Sequence, residues 1–194
     1  MIRYSQDFKL KEGIYLNFAQ LKHNKPLTPD RIITDLNPND FDFYSELIKN
    51  KTIKFYDDNN NVQSVNTSEI WGYCRGRSVY VNYNGQFNKI PIFGNICHFI
   101  AEKTVYHERL MDPFYDPYYY PMNSTYKTTV LQQYLLDMET GKIMEYSWQN
   151  VETILMRDEE LYNEFYKLPK RKKKKMMFLY GRRYNERNPL YLYK

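Results

Sequence analysis

The sequence predicts an α+β fold: an antiparallel β-sheet meander or small open barrel with helices at the C-terminal end. Three observations carry this. Apolar and polar residues alternate with a period of two through much of the chain, most cleanly in SVYVNY at 78–83. Short turn signals separate these runs, and Asn84-Gly85 is the strongest of them. Beyond Ser147 the pattern changes to helix caps followed by apolar residues three and four apart.

Taken in order, residues 13–18 (GIYLNF) alternate after a glycine and read as an opening strand. Residues 27–30 (LTPD) form a turn, and residues 32–36 begin another strand. Asn37-Pro38-Asn39-Asp40 offers a helix N-cap, and Phe41, Phe43, Tyr44, Leu47 and Ile48 then have the spacing of a short amphipathic helix. Residues 52–56 (TIKFY) are a strand with Ile53 and Phe55 on one face, turned by 57–61 (DDNNN) into a partner at 62–65. Residues 70–74 (IWGYC) and 78–83 flank the turn Arg75-Gly76-Arg77, and Asn84-Gly85 leads into 87–93 and the apolar run 94–100. The middle third is therefore a meander.

Residues 111–126 (MDPFYDPYYYPMNSTY) break the pattern with three Pro and six aromatic residues. No period fits them, and proline cannot donate to a central ladder, so a long surface loop or partly disordered insertion is expected. Residues 128–136 and 143–146 then frame a hairpin around 137–142. Ser147 or Asn150 caps a helix running through Leu155. Asp158 caps another, with Glu159 and Glu160 in its first turn and Leu161, Phe165 and Leu168 along one stripe. Pro169 interrupts, and residues 170–180 resume as a basic helix. Residues 1–168 thus form one α+β domain, and 169–194 a basic C-terminal segment that packs on it or extends from it.

Composition bounds the function. The chain has 194 residues, with 21 Tyr, 11 Phe and 2 Trp, enough apolar area to exclude disorder throughout. The longest apolar stretch, 90–101, is interrupted by Pro91, Asn95 and His98, so no transmembrane segment is expected. The first 13 residues (MIRYSQDFKLKEG) lack the apolar core of a signal peptide. The net charge of +5 averages two unlike parts. Residues 167–194 hold eleven Lys and Arg against one acid, Glu186, whereas the remainder holds 17 basic and 22 acidic residues. That asymmetry calls for a partner or for internal pairing, and Asp158, Glu159, Glu160 and Glu164 lie next door.

Motifs for catalysis are missing: no phosphate-binding glycine loop, nucleophile elbow or zinc-protease helix occurs. No enzymatic activity, cofactor or metal is expected. Cys74 and Cys97 have no zinc spacing, and they read as buried thiols or, in an exported protein, as a disulfide between neighbouring strands. His98 follows Cys97 in an alternating strand, which sends the two side chains to opposite faces and argues against a Cys–His pair. His107 with Glu108, Asp112 and Asp116 matches no calcium loop and reads as a solvated acidic loop.

Two sets of binding candidates remain. Tyr115, Tyr118, Tyr119 and Tyr120 offer stacking faces with polar edges, suited to a glycan or a protein. Lys170, Arg171, Lys172, Lys173, Lys174 and Lys175, with Arg182 and Arg183, suit an anionic partner. Six cations in a row surround a helix, so they define no single phosphate-tracking face. Anionic lipid headgroups attract such a patch at about 1 kcal/mol per basic residue. Nucleic acid, with Tyr180 and Tyr184 for stacking, is the less favoured alternative.

Three segments, GIYLNFAQLKHNKP (13–26), WGYCRGRSVYVNYNGQFNKIPIFGNICHFIA (71–101) and LQQYLLDMETGKIMEY (131–146), resemble an uncharacterised family of short, usually exported bacterial proteins that share a domain of unknown function. The segments that carry the resemblance are spread between residues 13 and 146, and the W-G-Y-C core is its most specific part. It implies a periplasmic or secreted address and no known activity, and it assigns no catalytic residue. With no catalytic motif in the chain, a non-enzymatic binding or structural module of the cell envelope is expected, with an envelope protein, a glycan or an anionic surface as partner.

Overall fold

Asn84 and Gly85 take φ of 53° and 80°, the left-handed pair that a two-residue hairpin needs, and the strands they join set the frame of the molecule. In the computed structural model, which describes residues 1–5, 7–108 and 125–193, twelve strands pair only antiparallel. β1 (Ile2–Arg3), β2 (Gly13–Tyr15), β3 (Ile32–Ile33), β4 (Thr52–Tyr56), β5 (Val62–Asn66) and β6 (Gly72–Arg75) precede that hairpin. The hairpin itself is β7 (Ser78–Tyr83) with β8 (Gln86–Lys89), and β9 (Ile96–Glu108), β10 (Thr125–Asp137), β11 (Ile143–Glu145) and β12 (Tyr191–Leu192) follow. Helices α1 (Phe18–Lys22) and α2 (Phe43–Leu47) are short, whereas α3 (Trp148–Leu155), α4 (Glu159–Tyr166) and α5 (Lys170–Arg187) collect at the C-terminal end.

The sheets run β3-β4-β5, β2-β6-β7-β8, β11-β10-β9 and the two-stranded β1-β12, and none closes into a barrel. Alternation places the first three in layers. On the central sheet, Tyr73 faces one apolar cluster with Phe43, Tyr44, Leu47, Ile53 and Phe55. Its other face, through Cys74, Val79 and Val81, meets Cys97, Phe99, Tyr134 and Leu136 of β9 and β10. Ile96 and Leu135 lie on the opposite face of β9–β10, where α3, α4 and α5 cover them with Val151, Leu155, Phe165, Tyr180 and Tyr184. Each sheet thus shares a core with its neighbour, and the helices close the last face.

Several expectations need correction. The opening strand stops at Tyr15, because the Asn17 side chain accepts the Gln20 N–H at 2.9 Å and starts α1 instead. Phe41 stays outside α2, fully exposed, and the apolar face begins at Phe43. The strand expected over 87–93 ends at Lys89. Cys74 and Cys97 are free and buried, and burial pushes both thiols up to about 12. Ser147 and Asp158 do cap α3 and α4, accepting the N–H of Asn150 and Leu161.

Candidate functional site

α5 carries the chemistry that composition singled out, and its packing decides which cations are accessible. Lys173, Met176, Met177, Tyr180 and Tyr184 recur at helical spacing and form the inner stripe. Lys173 is 6% exposed. Its ammonium pairs with the Glu152 carboxylate and lies 5.0 Å from the Trp148 and Tyr166 rings and 5.5 Å from Phe165. An aromatic box closed by one carboxylate holds it inside the protein.

Farther along, Arg183 makes a two-pronged ion pair with Glu164 at 2.5 and 3.0 Å. Arg187 reaches Asp158 at 2.9 Å and Glu160 at 2.7 Å, and Arg182 pairs with Glu186 one turn on at 2.9 Å. The internal partner suggested by Asp158, Glu160 and Glu164 is therefore real for Arg183 and Arg187. Lys173 and Arg183 leave the group of cations expected to meet an outside anion. Lys170, Arg171, Lys172, Lys174 and Lys175 are exposed and make no ion pair among the described residues. Phe178 and Leu179 lie one turn beyond Lys174 and Lys175, with Phe178 57% exposed.

Beside this helix runs a cleft of about 610 Å³, in the size range of small-molecule sites. Phe93, Ile96 and Leu135 line one wall, and Met177, Phe178 and Gly181 of α5 line the other. Its far side is β1 and the residues after it, held because Ile2 and Arg3 pair with Leu192 and Tyr191 and the Tyr4 N–H donates to the Leu190 carbonyl at 2.7 Å. Asn185 fixes the floor: its Oδ1 accepts the Ile96 N–H at 2.7 Å and its Nδ2 donates to the Ile96 carbonyl at 2.8 Å. Gly94 is required there, since a Cβ would come within 2.7 Å of the Asn185 amide. Nothing in the sequence signalled this cleft, whose lining is drawn from both ends and the middle of the chain.

The remaining candidates scatter. His98 lies in the cleft wall with its Nε2 2.9 Å from Gln133 Oε1, while its neighbour Cys97 is in the core on the other face. His107 pairs with Thr128 at 2.7 Å and stacks on Tyr126. Among the described residues no cluster of three or more metal-ligating side chains occurs. Tyr115, Tyr118, Tyr119 and Tyr120 lie outside the described residues. No described helix is long and apolar enough to cross a membrane. No family model, curated protein or solved structure matches the chain.

Proposed function

We propose that this protein is a non-enzymatic binding module of the bacterial cell envelope that docks on an anionic lipid surface through the outer face of α5. The observation that carries the reading is the juxtaposition of Arg171, Lys172, Lys174 and Lys175, exposed and without an ion pair among the described residues, with exposed Phe178 and Leu179 one turn on. Cations attract the headgroups, and the two apolar side chains gain by entering the headgroup boundary. The ion pairs of Arg183 and Arg187 hold the helix to the body, so this face is presented without a folding step. The envelope address rests only on the sequence resemblance expected for segments 13–26, 71–101 and 131–146, since no family model or curated protein matches the chain.

Co-sedimentation with phosphatidylglycerol–phosphatidylcholine vesicles tests it. The protein is expected to sediment with anionic but not with pure phosphatidylcholine vesicles, and added salt weakens this. Changing Arg171, Lys172, Lys174 and Lys175 to Gln removes about 1 kcal/mol each, about fivefold per residue. No sedimentation at low salt would overturn the reading. Stronger salt-dependent binding to DNA or RNA, lost in the same variant, would replace it with the nucleic-acid alternative.

A further inference from the structure

We infer that the cleft between α5 and the β9–β10 sheet binds a single hydrocarbon chain ending in an anionic headgroup, a carboxylate or a phosphate. The walls are apolar through Phe93, Ile96, Leu135 and Met177, which suits the chain and offers few polar partners along its length. The rim is cationic. Arg3, exposed and without an ion pair among the described residues, and Arg182 face one acid there, Glu186. Arg182 and Glu186 are both exposed, so their pair is weak and an incoming anion displaces Glu186 at little cost. On the same helix, Lys174 and Lys175 extend the positive field away from the cleft.

Gly181 is the independent observation. It stands inside an 18-residue helix, where glycine costs about 1 kcal/mol relative to alanine. No tight approach requires it, because a Cβ at Gly181 would meet nothing within 4 Å. Its φ is also not in the left-handed region. What the missing side chain leaves is open space in the wall of the cleft. A folding role explains Gly94, and ligand room explains Gly181.

Titration calorimetry of the full chain with laurate, dodecyl phosphate and uncharged dodecanol, all below their aggregation limits, tests the inference and needs no membrane surface. One anion per chain is expected to bind at least fivefold more tightly than dodecanol, and the tighter of the two identifies the headgroup. Gly181→Leu fills the cleft and should weaken binding by tenfold or more with an unchanged circular dichroism spectrum. Arg3→Gln combined with Arg182→Gln should weaken the anions about fivefold and leave dodecanol unaffected. Absence of binding, dodecanol binding as tightly as the anions, or a folded Gly181→Leu protein with full affinity would each overturn the inference. Should that variant not fold, spin-labelled laurate on the unaltered protein decides. Broadening of the Ile92, Ile96 and Leu135 methyl signals with Leu47 and Ile53 untouched supports the site, and any other pattern refutes it.

Discussion

Tyr44 and Tyr15 are both buried tyrosines, and they differ in one atom's surroundings. The Tyr15 hydroxyl donates to the Lys11 carbonyl at 2.8 Å, with the Asn24 Oδ1 at 3.2 Å. The Tyr44 hydroxyl, in a side chain 1% exposed, has no hydrogen-bond partner among the described residues. Burial pushes it up to about 12, so it stays a neutral phenol whose donor is unused. Removing an unsatisfied hydroxyl relieves a desolvation cost, whereas removing a satisfied one strands its partners. Tyr44→Phe is therefore expected to leave stability unchanged or raise it by about 1 kcal/mol, and Tyr15→Phe to lower it by about 1 kcal/mol, in urea denaturation. Neither difference was legible in the sequence, where each tyrosine merely occupies an apolar position. Lys173 makes the same point in reverse. Within six consecutive cations nothing marks it, and only its spacing to Met176, Tyr180 and Tyr184 places it on the inner stripe.

At the scale of elements, caps and hairpins were the readable part, because their signals are local: Asn84-Gly85, Ser147 and Asp158 act within three residues of themselves. At α1 the alternation of GIYLNF and the capping by Asn17 compete over the same residues, and the cap prevails. How α5 is held depended on distant acids. Burial opposes ionisation of Asp158, but hydrogen bonds from Asn188, the Leu161 N–H and Arg187 outweigh it and keep its carboxyl below the ordinary value of 3.8. Arg183, through its hydrogen bonds, likewise holds Glu164 below 4.5. Both groups have lowered folded-state values, so their contribution is complete above those ordinary values and disappears as pH falls through the folded ones. Acidification below about pH 4 is expected to loosen α5 from α4 before the sheets unfold. Far-ultraviolet circular dichroism should then keep its strand signal while the near-ultraviolet signal of Tyr180 and Tyr184 fades. Simultaneous loss of both would contradict this.

Across the whole molecule, layering couples the cores. The central sheet belongs to two clusters, and β9–β10 belongs to two, so no cluster can dissolve without uncovering the next. Trp71 packs on the middle cluster and Trp148 on the helical one, which gives each of these two cores its own reporter. Single-tryptophan variants, Trp71→Phe and Trp148→Phe, should show the same urea midpoint relative to circular dichroism. Separate midpoints would mean that the helical layer unfolds on its own. The order of layers could be foreseen in outline from the period change after Ser147. The cleft could not, because Arg3, Phe93, Leu135 and Gly181 meet only after the layers stack.

The pairing of Ile2 and Arg3 with Leu192 and Tyr191 has a consequence for synthesis. On the ribosome the chain emerges from its amino end, and β1 must wait with no partner until Tyr191 and Leu192 have been made. During that wait Ile96 and Leu135 lack Tyr180 and Tyr184, so an apolar sheet face stays open to the cell. The nascent chain is most exposed to misassociation in the interval just before α5 clears the exit tunnel. A pause or a stop codon placed there would leave a sheet without its cover.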